Sequence, residues 1–224
     1  MPTPPPPTPW DFALERVTPG EDLIGIGADL DLSTLFEAYS VGVFPMGIGE
    51  QGAEPIGWWS PDPRGILRPR ELKVSRSLRK AAAHFEVRVD TDFRAVVEAC
   101  AAPDRDGRWI TPEIVDSYVG LHEAGWAHSV EAWQDGRLAG GLYGVAIGGL
   151  FAGESMFHHV RDASKVALVG LRDLLVADGD PRRLVDVQWQ TPHLATLGVR
   201  EVPREEYLAI LPTVLRAPLP ACWA

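Results

Sequence analysis

The sequence predicts a mixed α/β fold, and three observations carry that reading. "FEVRVD" (85–90) alternates apolar and polar residues as a half-buried strand does. The stretch "HSVEAWQDGRLAGGLYGVAIGGLFAGESMF" (128–157) reads as three antiparallel strands, with Asp135-Gly136 and Gly148-Gly149 as hairpin turns. Between that meander and "LVDVQWQ" (184–190), Asp162 to Ala177 carries Val166, Leu168, Val169, Leu171, Leu174 and Leu175 at helical spacing.

The other elements follow in order. "MPTPPPPTP" reads as a proline-rich, disordered leader. Asp31 to Ser40 is a short helix, ended by Gly42 and Pro45. "MGIGEQGAEPIGWWSPDPRG" (46–65) is expected to be a long loop, and its paired tryptophans mark it as a functional one. Ser75 caps a basic helix running through Ala83, and Thr91 starts the helix "DFRAVVEACA". Thr111-Pro112 opens a further helix that Gly125 closes, and Pro203 begins the last one. No internal repeat is present. From Phe85 the order is therefore strand, two helices, three-strand meander, helix, strand, helix. That order resembles the GCN5-related N-acetyltransferase fold, an acyl-transfer scaffold, but order alone sets no function.

Composition excludes several classes. At 224 residues, 46% hydrophobic and 23% charged, the chain is of ordinary globular make-up. No apolar run approaches the ~20 residues of a membrane span, and the leader lacks the pattern of a signal peptide. Cys100 and Cys222 are too few and too far apart for a disulfide framework or a cysteine zinc site, so the cytoplasm is the expected compartment. The net charge of −10 argues against bulk attraction to nucleic acid, yet it hides a patch. Arg64, Arg68, Arg70, Lys73, Arg76, Arg79 and Lys80 face one acid, Glu71; the segment is +6 and the remainder −16. Two partners of opposite charge, or simply a solvated charged face, fit this division equally.

Nucleophile and metal motifs are weak. Ser155 in "GESMF" lacks the second glycine of a nucleophile elbow and lies in a hairpin strand, so it reads as structural. His158 and His159 are adjacent and point apart on a strand, which leaves no metal site at ligand spacing. An acyl-CoA enzyme would hold pyrophosphate with a glycine-rich loop at a helix start, whereas "HHVRDASKVAL" (158–168) has no glycine. Glu154 is the first oddity: an acid among Phe151, Met156 and Phe157 has either an ion-pair partner or a task. The second is "LVDVQWQ". Strand alternation puts Val185, Val187 and Trp189 on one face and Asp186, Gln188 and Gln190 on the other, so a core strand presents a carboxylate and two amides together. Both clusters point to a pocket with an anionic end and amide hydrogen-bonding capacity.

The segments "PIGWWSPDPRGIL", "ELKVSRSLRK", "WITPEIVDSYVGLHEAGWAHSVEAWQDGRLAGGLYGVAIGGLFAGESMF", "DASKVAL" and "DVQWQTPHLATLG" resemble the leucyl/phenylalanyl-tRNA–protein transferase family. The similarity runs from about Leu23 to Leu211, with "WWSPDPR" and "GESMF" the most specific parts. The resemblance implies transfer of Leu or Phe, and less efficiently Met, from aminoacyl-tRNA to the N-terminal Arg or Lys of acceptor proteins. The product is marked for N-end-rule degradation. It also implies a small N-terminal domain (1–63), an acetyltransferase-like domain (64–224) with a mixed, largely antiparallel sheet, a cytoplasmic location, and no cofactor, CoA or metal.

Residue by residue, the resemblance makes Asp186 and Gln188 the catalytic pair facing the ester and the incoming amine. It places Trp109 against the terminal adenosine and Glu154 as a polar contact in the substrate site. It lines the aminoacyl pocket with Leu142, Phe151, Met156, Leu168, Leu171 and Leu175. The polyanionic donor then meets Trp58, Trp59, Arg64, Arg76, Arg79 and Lys80, cations on phosphates and rings on bases. Two departures stand out. Met46 follows Pro45 where the family usually has tryptophan, next to the substrate site, and Leu171 and Leu175 stand where larger residues occur. Rival readings are an acyl-CoA N-acetyltransferase and a tRNA-binding module without catalysis.

Overall fold

The computed structural model describes residues 2–103, 105 and 107–223. Strand β1 (Leu23–Ile26), helix α1 (Leu32–Ser40) and strands β2 (Phe44–Gly47) and β3 (Ile56–Trp59) come first. The strands form an antiparallel sheet in the order β1-β3-β2. The stretch expected to be one long loop (46–65) is instead loop interrupted by the end of β2, all of β3 and the first residues of a further strand at 64–65. Its strands are four residues long and rich in glycine and proline, too short for alternation to register. The expected leader is held at its end by Thr8, and the residues just after it, Trp10 and Phe12, are packed as well. Thr8 Oγ1 lies 2.9 Å from Thr34 Oγ1, Trp10 Nε1 donates to Asp29 Oδ2 at 2.6 Å, and Phe12 packs on Trp58 with ring centroids 4.8 Å apart.

The chain then runs through β4 (Arg64–Leu67), α2 (Arg76–Ala82), β5 (Glu86–Val89), α3 (Phe93–Cys100), α4 (Pro112–Glu123) and β6 (Ala127–Gln134). It continues with β7 (Arg137–Ile147), β8 (Leu150–His158), α5 (Ala163–Val176), β9 (Leu184–Gln188), α6 (Pro192–Thr196), β10 (Arg200–Val202) and α7 (Arg204–Leu215). A seven-stranded sheet in the order β10-β4-β9-β8-β7-β6-β5 results, antiparallel everywhere except between β8 and β9. That exception follows from α5, because a parallel pair needs a long crossover. The fold is the mixed α/β arrangement the sequence predicts, and it is compatible with an acetyltransferase-like order.

Local chemistry explains the boundaries. Ser75 Oγ and Thr111 Oγ1 accept the N–H groups of Leu78 and Ile114, capping α2 and α4. Asp92, not Thr91, caps α3 by accepting the Ala95 N–H. Asp135 and Gly136 take φ of 50° and 72°, the left-handed pair that a two-residue hairpin turn requires. Gly148 has φ +60°, and a Cβ there would sit 2.1 Å from Leu215 O, so that corner admits only glycine.

Each face of the large sheet is covered. On one side α1, α3, α4 and α7 bury Leu35, Val96, Ile114, Tyr118, Tyr207 and Leu211 against Val145, Leu150, Ala152 and Leu184. On the other, Val166, Leu168, Leu171 and Leu175 of α5 pack with Leu142, Phe151 and Val185. Full burial of each such side chain stabilises by about 1.5–3 kcal/mol. The site lies where this second layer meets the parting of β8 and β9.

Candidate active site

Strands β8 and β9 pair through Leu150–Leu184, Phe151–Val185 and Ala152–Asp186, and no further. Each is irregular just beyond. In β8, Ser155 faces Tyr143 and Gly153 faces Gly144, which leaves Glu154 as an extra residue. In β9, Gln188 faces Gly65 and Asp186 faces Ile66, which leaves Val187 extra, and Gln188 has φ +59°. Bulges re-aim side chains. Here they open a cavity of about 280 Å³ between the strands and α5. Its walls include Leu142, Phe151, Met156, Leu168, Leu171 and Val187, and its polar groups are Glu154, Gln188, Ser155, Thr191 and His193.

The bulge in β9 overturns the alternation read from the sequence. Asp186 and Gln188 do not share a face. Gln188 lies on the cavity wall with Val185 and Val187 and directs Nε2 to Glu154 Oε1 at 3.4 Å. Asp186 points the other way and is 1% exposed. Its Oδ1 accepts from Arg64 Nε and from the Gln188 backbone N–H, both at 2.9 Å. Its Oδ2 accepts from Arg64 Nη2 at 2.6 Å and Tyr207 OH at 2.9 Å. A carboxylate offers about four acceptor positions, and all are filled. Asp186 therefore holds the left-handed backbone at Gln188 and presents no oxygen to the cavity.

Arg64 needs the matching correction. Grouped with the basic face on sequence, it is 1% exposed and belongs to the core. Besides the fork to Asp186, its Nη1 donates to Gly42 O at 2.9 Å, and its guanidinium lies 4.6 Å from the Tyr207 ring centroid. Burial is the largest single influence and opposes its charge, but Asp186, through its charge and hydrogen bonds, together with Tyr207 and Glu154 outweighs burial and raises its pKa. The pair ties β4, β9 and α7 to the turn after α1. Such a group must be paired to be buried at all.

Glu154 has a different environment. Its Oε2 accepts from Tyr118 OH at 3.0 Å, and Tyr118 OH in turn meets Tyr39 OH of α1. Burial pushes the Glu154 carboxyl up to about 8; the tyrosine hydrogen bonds oppose the rise, and the charge of Asp186 adds to it. At neutral pH it is mostly the neutral acid, able to donate as well as accept. The site thus offers a carboxylic acid and a primary amide side by side above an apolar recess.

The remaining expected residues divide. Leu142, Phe151, Met156, Leu168 and Leu171 meet at the cavity, but Leu175 does not; buried, it borders a separate hollow with Arg68, Arg70 and Arg183. Trp58 cannot stack on a base as expected, being 2% exposed with Nε1 donating to Gly27 O. Trp59 is partly buried; its Nε1 donates to Met46 O at 3.0 Å, and its ring meets Trp189 edge-on at 6.1 Å. Met46 itself does not line the cavity. Trp109 is partly buried, its backbone pressed against Gly52. Arg76, Arg79 and Lys80 are exposed on α2. The N-terminus of α2 borders a groove of about 420 Å³ with Lys73, Arg161 and Lys165, which shares His193 with the apolar cavity.

Sequence reasoning missed Tyr39, Tyr118 and Tyr207, which hold the two carboxyls from elements far away in the chain. It also missed that Asp90, His122 and His128 place ligand-type atoms within 4.8 Å of one another. These groups hold each other: Asp90 binds His128 Nδ1 and the Ser129 N–H, each at 2.8 Å, and His122 Nδ1 bonds Ala127 O. A cleft of about 340 Å³ between residues 10–17 and β1 has no comparable meeting of buried acid and amide.

The model of the leucyl/phenylalanyl-tRNA protein transferase family matches residues 66–212, and that of the family's N-terminal domain matches residues 28–62. The chain belongs to this family. The two matches meet where the three-stranded sheet gives way to the seven-stranded one. A leucyl/phenylalanyl-tRNA–protein transferase of Nitrosospira multiformis is 52% identical over 189 residues, 83% of this chain and 79% of that one. Those of Azotobacter vinelandii and Thiobacillus denitrificans are 50% and 49% identical over 205 and 206 residues, each 90% of this chain and 88% of the relative. The protein is an aminoacyltransferase. Among the described residues no helix is long and apolar enough to cross a membrane.

Proposed function

We propose that the protein moves Leu or Phe, and Met less well, from aminoacyl-tRNA to the N-terminal Arg or Lys of acceptor proteins in the cytoplasm, marking them for N-end-rule degradation. The observation that carries this reading is the cavity between β8 and β9. Ligand pockets usually measure about 300–1,000 Å³; this one, at about 280 Å³, suits one apolar side chain. A thioether in its wall (Met156) adapts to a ring or a branched chain.

In this reading the side chain of the donor enters the recess and its ester carbonyl lies beside Gln188 and Glu154. The acceptor's α-amine attacks that carbonyl carbon. A C–N bond forms, the ester C–O bond breaks, and the terminal ribose hydroxyl leaves with the proton the amine gives up. The ester is already activated, so no covalent enzyme intermediate is needed. Gln188 orients the amine through its amide oxygen, and the neutral acid of Glu154 donates to the developing oxyanion. Asp186 acts through Gln188, by fixing its backbone.

The donor's phosphates would follow the groove beside the cavity and the exposed cations of α2. The start of α5 supports tRNA over CoA. Where a pyrophosphate would need free N–H groups, Asp162 stands, bound to Lys165 Nζ at 2.9 Å. The test is to incubate the protein with Leu-tRNA and an Arg-initiated peptide and weigh the product. One added Leu supports the reading. Addition from acetyl-CoA in place of Leu-tRNA would defeat it.

A further inference from the structure

Phe151 forms part of the cavity wall, yet it does not stand alone there. It is fully buried, and its ring lies across Gly144 of the neighbouring strand, where a Cβ would come within 2.7 Å of ring atoms Cε1 and Cζ. Behind it comes the segment after α7. Trp223, 6% exposed, stacks on Phe151 with centroids 5.4 Å apart and planes at 22°. Its other neighbour is His128, stacked at 4.7 Å and 10°, whose Nδ1 is fixed by Asp90. The order is therefore Asp90, His128, Trp223, Phe151, cavity.

This stack is held in place at its C-terminal end. Arg183, 2% exposed, donates from Nη1 to Pro218 O at 2.5 Å and to Gly148 O at 3.2 Å, which clamps the returning segment to the β7–β8 turn. The Trp223 N–H closes a turn onto Pro220 O at 2.9 Å. Trp223 Nε1 is buried with no hydrogen-bond partner among the described residues. Burying an indole N–H unsatisfied costs about 1–3 kcal/mol. No hydrogen bond explains why that ring sits there. Its two flat faces do, since they fill the space between His128 and Phe151.

We infer that Trp223 is a specificity-determining residue: it backs the Phe151 ring and so sets how deep an aminoacyl side chain can enter. This rests on the reading of the cavity as the aminoacyl pocket. With the indole present, Phe151 has no room to retreat, and the recess is sized for a branched or single-ring side chain. Without it, Phe151 gains space behind, and larger aromatic donors gain relative to Leu.

The experiment compares kcat/KM for Phe-tRNA and Leu-tRNA in the wild type, Trp223→Ala and Trp223→Phe. Trp223→Ala is expected to raise the Phe-to-Leu ratio about fivefold, somewhat under the ~10–200-fold that a direct one-methylene contact gives. Trp223→Phe retains a flat ring and should keep the ratio within about twofold of the wild type. Repeating Trp223→Ala in a Phe151→Ala background separates a specificity role from a structural one, because the effect should vanish once its intermediary is gone. If Trp223→Ala does not fold, Trp223→Leu carries the same comparison. An unchanged ratio in the folded variant, or an equal change without Phe151, overturns the inference. A wild type that transfers neither amino acid instead overturns the reading of the function.

Discussion

Asp186→Asn separates two accounts of the residue. In the structure Asp186 answers the charge of Arg64 inside the core, both groups 1% exposed, through two hydrogen bonds of 2.9 and 2.6 Å. Asparagine keeps the shape but leaves the guanidinium without a counter-charge and sets an amide N–H against donors. Breaking a buried pair on one side costs about 3–5 kcal/mol. That is a large part of the ~5–15 kcal/mol of a typical domain. In a chain of this size each kcal/mol moves Tm by about 2–4 °C, so a fall of roughly 10 °C is expected.

Urea unfolding at neutral pH reads the stability, and steady-state peptide formation well below the transition reads the chemistry. Turnover should fall by about tenfold, because one amide oxygen must now serve Arg64, Tyr207 and the Gln188 N–H, which loosens the backbone at Gln188, and the deficit should be the same at every pH. Replacing both partners with apolar residues, Arg64→Met with Asp186→Leu, should recover much of the stability and little of the rate. The reasoning is refuted by an Asp186→Asn protein of wild-type stability whose kcat is down ~10²–10⁴ and recovers as pH rises. That is the signature of a lost general base.

Glu154→Gln tests the neutral acid. The folded carboxyl, at about 8, lies above its ordinary 4.5, so its contribution to stability is complete below about pH 4.5 and is lost as pH rises to about 8. Glutamine should flatten that slope in pH-dependent urea melts and remove the fall in transfer rate above pH ~8, with activity near wild type at neutral pH; an unaltered pH profile would sink the assignment. Arg76→Glu with Arg79→Glu should abolish transfer from whole aminoacyl-tRNA while sparing an aminoacyl-adenosine donor, and wild-type transfer should weaken steeply with salt. Equal loss with both donors would place those arginines in the fold or the active centre. Met46→Trp should lower the donor KM with little change in kcat, and an unchanged KM would put position 46 outside the site.

Much of the fold was legible because the responsible signals are local. Caps at Ser75 and Thr111, the Asp135-Gly136 turn and the apolar stripe of α5 each act within a few residues. The strands β1 to β4 escaped because each has four residues and takes its identity from distant partners, as β4 does from β9 and β10. Of the site, the two polar clusters could be read from "LVDVQWQ" and "GESMF", whereas the apolar lining was given only by the family resemblance, which also placed Leu175 there although it lies elsewhere. What could not be read is which way each polar residue faces. A bulge at Val187 and a left-handed Gln188 undo the period of two, and neither leaves a mark in the residue types. Arg64 misled for a related reason: charge runs look alike whether a member is solvated or paired in the core with a carboxylate 122 positions later.

Everything proposed for the chemistry depends on the aminoacyl side chain lying between β8, β9 and α5. A tRNA charged with photo-leucine, a diazirine analogue of Leu, tests that placement directly. The donor is bound, irradiated and digested, and the cross-linked peptide is identified by mass spectrometry. Cross-links are expected on Phe151 to Met156 or on Leu168 to Leu171, and excess Leu-tRNA should suppress them. Competed cross-links confined to residues 10–28 or Trp58, around the larger cleft beside β1, would contradict the account.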